Sequence, residues 1–108
     1  MRGFWAGLIV VTAALPAWAQ SSKQEWFEYC AGVNAGANLS EQAQVNYCDT
    51  LIASGTLSPP ELAQAYTLRG GNYGIMGFGD KELDDYRRAL SIDPNNVAAR
   101  IGLSGQKP

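Results

Sequence analysis

Residues 58–73, SPPELAQAYTLRGGNY, carry the clearest helix signals in this chain of 108 residues. Ser58 has the side chain of an N-cap, Pro59 follows where a helix needs no amide donor, and Glu61 completes a capping box. The residues that then recur at the three-and-four spacing of one helix face are Leu62, Ala65, Tyr66, Arg69, Gly70 and Tyr73. The stretch therefore predicts a helix with Arg69 on its packed side.

The sequence before this stretch predicts two helices joined by a turn. Capping-box spacing at 22–25 starts a helix from about Lys23 to Asn34, and its apolar face carries Trp26, Phe27, Cys30 and Val33. Residues 32–38 are rich in glycine and asparagine and predict the turn. Ser40 then caps a second helix, which ends near residues 54–55.

The sequence after it predicts a glycine-rich turn at 74–79 and two more helices. Asp80 is predicted to cap the fourth helix, and Asp93 with Pro94 closes it. Residues 97–103 add a short terminal helix. Because no stretch alternates between apolar and polar residues over several positions, we predict an all-α fold without a sheet.

Composition limits the function. The chain can form at most one small domain, and its net charge of -2 lacks the basic excess that nucleic acid binding requires. It contains no histidine, the commonest general base and a common metal ligand. No nucleophile or carboxylate pair stands out from ordinary surface charge, so we predict a protein that is not an enzyme and uses no cofactor.

The acidic cluster of residues 80–85 is predicted to be a solvated helix start. Its carboxylates do not have the spacing of a calcium loop, and acidic side chains favour the N-terminal end of a helix dipole. We predict no metal site. Residues 70–79 also contain several glycines, but they lack the Gly-Lys-Ser/Thr ending of a phosphate loop.

Residues 1–19 have the features of a secretory signal peptide. Arg2 precedes an apolar run from Phe4 to Leu15, and Ala17-Trp18-Ala19 supplies the small residues of a cleavage site. The apolar run is too short for a membrane span, so none is predicted in the mature chain. We therefore expect an exported protein, periplasmic or secreted.

Two cysteines, Cys30 and Cys48, are separated by 17 residues. In an exported chain such a pair favours a disulfide, and helix geometry places both sulfurs at a similar distance from the turn between the first two helices. We predict a bridge that closes the first helical hairpin. Two buried free thiols remain the alternative.

Residues 66–73, followed by YRRAL at 86–90 and Asp93-Pro94, resemble a tetratricopeptide repeat (TPR) of the bacterial kind, with the pattern W-x2-L-G-x2-Y...A-x3-F...P. The positions that match the repeat or support it are Tyr66, Arg69, Gly70, Tyr73, Tyr86, Ala89 and Pro94. Glu82 departs from the pattern, because a small alanine is usual there. The chain as a whole is similar to small exported TPR-like proteins of Gram-negative bacteria.

The resemblance implies about two stacked antiparallel hairpins. The predicted division is a signal peptide at 1–19, a divergent first hairpin at 20–62, a TPR at 63–96, and a terminal helix and tail at 97–108. It also implies a concave surface that binds a peptide or partner helix. On the helix that begins near Ser58, the residues predicted for that surface are Gln64, Thr67, Leu68, Gly71 and Asn72.

Two other functions remain open. The chain could be a structural subunit that docks into a larger envelope complex through the ends of its helix stack. A small-ligand carrier that uses Tyr66, Tyr73 and Tyr86 is the third possibility, although these rings also suit core packing. Buried Arg69 is predicted to pair with Asp85 or Asp84 in either case.

We predict that the exported form begins at Gln20, because the small residues of the cleavage site end at Ala19. Intact mass spectrometry of the protein from the envelope fraction measures this directly. A mass that includes residues 1–19 would show that the signal peptide prediction is wrong.

Overall fold

The computed structural model describes residues 17–33 and 38–105, with side chains described from residue 22 onwards. This part of the chain forms five α-helices: α1 (Ala17–Ala31), α2 (Glu41–Ala53), α3 (Pro59–Ile75), α4 (Gly79–Ile92) and α5 (Val97–Ser104). The described ranges contain no strand, which confirms the all-α prediction. Residues 1–16 of the predicted signal peptide and residues 34–37 of the predicted turn lie outside the described residues.

Two of the predicted helix starts are confirmed. The Ser40 hydroxyl accepts a hydrogen bond from the Ala43 amide at 3.2 Å and caps α2. At α3 the capping box is complete, since Ser58 Oγ accepts from the Glu61 amide at 3.4 Å and Glu61 Oε1 accepts from the Ser58 amide at 2.9 Å. The Ser58 hydrogen bond lowers the pKa of the Glu61 carboxyl, and the ammonium of Lys23 acts in the same direction.

Two predicted starts are wrong. The first helix begins at Ala17, so Ser22 lies inside α1, and the predicted cleavage site after Ala19 falls in its first turn. The fourth helix begins at Gly79 with Phe78 at the N-cap, and no side chain caps it. Asp80 therefore lies in the first turn of α4, where its charge still favours the N-terminal end of the helix dipole.

Left-handed glycines end α1 and α3. At α1, Gly32 has φ 72°, its amide donates to Tyr29 O, and the Val33 amide donates to Glu28 O. This is a Schellman motif, which stops α1 at Ala31 rather than at the predicted Asn34. Gly77, with φ 87°, ends α3 through the same pattern of bonds. Both positions need a residue without a β-carbon.

Side-chain contacts fix the directions of the helices. The α1 and α2 helices run antiparallel and are joined by the Cys30–Cys48 disulfide, whose Cα atoms lie 4.8 Å apart. This confirms the predicted bridge. The α3 and α4 helices are also antiparallel and pack along their length. The predicted boundary between residues 62 and 63 falls inside α3, so the chain passes from the first helix pair to the second before Pro59.

The α1 and α3 helices run in the same direction, side by side. Midway along α1 and near the start of α3, Lys23 Nζ lies 3.2 Å from Glu61 Oε1. Near their ends, Asn72 Nδ2 donates to Cys30 O at 3.2 Å. The order of these contacts is the same along both helices, which sets their parallel direction.

The interior has two small clusters. Around the disulfide, the fully buried residues are Cys30, Cys48, Leu51 and Ala65. Between α3, α4 and α5, the buried residues are Ala63, Tyr86, Ala89 and Ala99. Most of these side chains are small, so the helices approach closely, and the disulfide supplies part of the constraint that a larger core would give.

Tyr86 is the large side chain of the second cluster, and two glycines make room for it. A β-carbon on Gly70 would lie 3.0 Å from Tyr86 Cε1, and one on Gly102 would lie 2.5 Å from Tyr86 Cε2. Burial raises the pKa of the Tyr86 phenol, and the nearby Glu82 carboxylate adds to the shift. The ring therefore packs between α3 and α5, where a β-carbon at Gly102 would force it to move and one at Gly70 would make a tight contact with it.

We predict that Gly102→Ala lowers the free energy of unfolding by about 1 to 3 kcal/mol, since the new β-carbon forces the Tyr86 ring to move. The matched control is Gly105→Ala, because a β-carbon there meets only atoms at ordinary contact distance, 3.5 Å or more. Urea unfolding followed by circular dichroism measures both. Equal stability of the two variants would contradict the packing of Tyr86 against α5.

Candidate protein-binding surface

The predicted surface residues lie on α3, which has neighbours on several sides. It packs against α1, α2 and α4, and the Thr67 hydroxyl lies 3.3 Å from the side-chain oxygen of Asn96, the N-cap of α5. The α3 helix is therefore at the centre of the described structure. These neighbours leave open a strip of the α3 surface around Gln64.

Three of the five predicted residues lie on or near this strip. Gln64 is exposed, and Thr67 and Gly71 are half-buried. The Thr67 hydroxyl donates to Ala63 O at 2.8 Å. A β-carbon on Gly71 would lie 3.9 Å from the Tyr86 hydroxyl, so Gly71 faces the α4 side of the strip.

The other two predicted residues, Leu68 and Asn72, face the first helix pair. The prediction that Asn72 is exposed is wrong, whereas Leu68 is half-buried. Leu68 packs against the cluster around the disulfide. Asn72 is 6% exposed, and its amide donates to the Cys30 carbonyl near the end of α1. Both lie on the face of α3 that α1 and α2 cover. The identity of that face depends on how α1 packs beside α3.

Arg69 forms the densest polar network in the described part of the chain. Its Nε and Nη2 donate to the two carboxylate oxygens of Asp85 at 2.8 and 2.9 Å, and its Nη1 donates to Asp49 Oδ1 at 2.8 Å. Asp85 raises the pKa of the Arg69 guanidinium above its ordinary value. Of the two predicted partners, Asp85 is the one that binds, while exposed Asp84 lies 3.5 Å from Arg87.

Aromatic rings and further cations extend this network. The guanidinium carbon of Arg69 lies 5.3 Å from the Tyr66 ring centre and 5.7 Å from that of Tyr73. Lys81 Nζ lies 5.2 Å from the Tyr73 ring centre, and Arg88 Nη1 donates to Asp85 Oδ1 at 3.0 Å. The three distances to ring centres are those of cation–π contacts. Tyr66 and Tyr73 therefore pack against cations of this chain.

Sequence reasoning missed Asp49 and Lys81 as members of the network. Asp49 lies on α2, 20 residues before Arg69, and nothing in its local sequence differs from an ordinary surface carboxylate. Lys81, in the first turn of α4, likewise looks like an ordinary surface residue in the sequence. Their roles depend on how α2 and α4 pack beside α3.

Glu82 occupies the position where a TPR usually has alanine, and the structure accommodates it. Gly74 on α3 leaves the space, because a β-carbon there would lie 2.5 Å from Glu82 Oε2. The same oxygen accepts a hydrogen bond from the Tyr86 hydroxyl at 3.2 Å. Glu82 therefore lies over a glycine and anchors Tyr86.

No group of three or more histidine, cysteine or acidic side chains within the described residues is arranged to hold a metal ion. Every buried side-chain nitrogen and oxygen there has a hydrogen-bond partner. An open cleft is lined by residues 77–81, away from Gln64 and Thr67. None of the described helices combines the length and apolar character that a bilayer span requires.

A scan against protein-family models, a search of characterised proteins and a search of solved structures found no match to this chain. The function therefore has to be argued from its own residues and contacts.

We predict that Arg69→Met lowers the free energy of unfolding by about 3 kcal/mol, because it leaves the buried carboxylate of Asp85 without its bidentate partner. Arg87→Met is the control, since Arg87 is 62% exposed and its ion pair with Asp84 is a surface pair. That variant should change stability by less than about 0.5 kcal/mol. Thermal and urea unfolding compare the two, and a similar small effect in both would contradict a structural role for Arg69.

Proposed function

We propose that this chain is an exported TPR-like module that binds a peptide or partner helix of another protein. The observation that carries the proposal is the arrangement of α1 and α3, which run side by side in one direction while α4 returns antiparallel. The link from Thr67 to Asn96 places the start of α5 at the other side of α3. Successive TPR units present their first helices in such a row.

The proposed binding surface is the open strip of α3 around Gln64, together with Thr67 and Gly71. These three residues carry no charge. The amide of Asn72, one of the five predicted surface residues, is used within the fold. A partner's C-terminal carboxylate would find no cation among them to offset its desolvation, so the surface suits an extended or helical segment held by neutral hydrogen bonds and apolar contacts.

Export is supported by the Cys30–Cys48 disulfide, since such bridges persist in oxidising compartments. The signal peptide features of residues 1–19 point in the same direction. We place the protein in the periplasm or outside the cell.

A second function, as an assembly subunit that docks through the end of its helix stack, is favoured by one observation. Val97 and Ile101 on α5 are 60% and 64% exposed. Large apolar side chains that share an exposed helix face are typical of contact surfaces. This function would use α5 instead of the α3 strip.

We predict that a photo-crosslinking amino acid at Gln64 captures a partner in the native envelope and that the same probe at Gln42, which is exposed on α2, does not. A synthetic peptide of the captured segment should bind about tenfold more weakly to Gln64→Arg than to the unchanged protein, and Gln42→Arg should bind it normally. Fluorescence anisotropy measures the affinities.

The absence of cations on the surface leads to a further expectation for that peptide. Amidation of its C-terminus and a rise in salt should each change the affinity by less than about threefold. Capture at Gln42 alone, or a large loss on amidation, would show that the proposed surface is wrong.

A further inference from the structure

The outer face of α5 is exposed although it carries large apolar side chains. Val97 and Ile101 are four residues apart and share one side of the helix, and both are more than half exposed. Each of α1 to α4 packs against at least two other described helices, whereas α5 packs mainly against α4. The last described helix thus presents large apolar side chains at the surface.

Charge indicates which kind of surface fits this face. Arg100 is the only charged residue between residues 94 and 105, and it is exposed. At the other end of the chain, residues 17–53 carry one lysine against four carboxylates, a net charge of -3. Two α5 faces would bring like charges together, while α5 and the acidic first helix pair attract each other.

The first helix pair also offers apolar contact area. Trp26 on α1 is 36% exposed, and Val33, which follows the end of α1, is 66% exposed. Val33 lies just beyond the left-handed Gly32 that ends α1, so the two residues are separate exposed apolar positions of the first helix pair. Exposed Glu25 is adjacent to Trp26 and provides a carboxylate for a guanidinium.

We propose that copies of this chain associate head to tail, with Val97 and Ile101 of one copy packing on Trp26 and Val33 of the next. Arg100 faces the acidic first helix pair of that copy. The contact is heterologous, because the two surfaces differ, and in a pair of copies one retains a free α5 surface while the other retains a free surface at Trp26 and Val33. It goes beyond the proposed peptide binding and does not use the strip around Gln64. The apolar stripes are small, so the association is weak.

Sedimentation equilibrium of the purified protein from about 10 μM to 1 mM tests the association. We expect the average mass to rise with concentration beyond that of a dimer, because a heterologous contact that does not close continues to add copies. High salt should reduce it, since unlike charges lie across the contact. A monomer at every concentration would overturn the proposal.

Single variants identify the two surfaces. Ile101→Glu disrupts the α5 surface and Trp26→Glu disrupts the surface on the first helix pair. Each variant alone should therefore stay monomeric. Ile75→Glu is the matched control, since Ile75 is 72% exposed near the end of α3 and belongs to neither surface. It should associate like the unchanged protein. Circular dichroism checks that each variant is folded, and if Trp26→Glu loses helix, Val33→Glu tests the same surface outside α1.

An equal mixture of the two variants gives the decisive measurement. Each retains the surface that the other lacks, so the mixture should form dimers and stop there, because the remaining pair of surfaces carries two glutamates. Failure of the mixture to associate would overturn the head-to-tail contact. The proposal would also be overturned if Ile101→Glu lost association while Trp26→Glu kept it, because that result assigns the contact to two α5 helices.

Discussion

The buried charge of Asp85 constrains the packing of three helices. Its side chain is 1% exposed on α4 and is neutralised by the bidentate guanidinium of Arg69 on α3. The third arm of that guanidinium reaches Asp49 on α2. A carboxylate without a partner in this position would be strongly unfavourable, so α3 and α4 have one register in which the charge is satisfied. The small residues around the pair allow the helices to come that close.

The close approach of the helices is the second feature of the architecture. Gly70, Gly74 and Gly102 lie where Tyr86 and Glu82 need space, and alanines make up much of the two buried clusters. Small side chains bury little apolar area each, so the interior supplies limited hydrophobic stabilisation. The disulfide between α1 and α2 compensates at the end of the molecule where the buried cluster contains only one large side chain, Leu51.

The same packing determines which side chains are left for a partner. Leu68 packs against the cluster around the disulfide and Asn72 bonds to the end of α1, so two of the five predicted surface residues belong to the fold. Gln64 remains exposed, and Thr67 and Gly71 border it. At the last described helix, Val97 and Ile101 are more than half exposed. A strip of neutral residues and an apolar end are therefore two separate surfaces, suited to different contacts.

The five helices, and several of the local signals that start and stop them, are visible in the sequence. Ser40, Ser58 and Asp93-Pro94 act within a few residues of the chain, so their effects can be read without a fold. The sequence also indicated the Cys30–Cys48 bridge, because helix lengths place both residues at one level of a hairpin. The start of α1 at Ala17, six residues before the predicted start at Lys23, was not predicted.

How α3 divides its faces between α1, α2 and α4 depends on the packing of the helices. The spacing of Leu68 and Asn72 shows that they lie on one side of a helix, but the direction of that side depends on where α1 packs. The choice of Asp85 over Asp84, and the arrival of Asp49 from α2, likewise depend on contacts between residues far apart in sequence. Local patterns contain no information on such distances, because the register between helices is set by side-chain packing and by the pairing of buried charge.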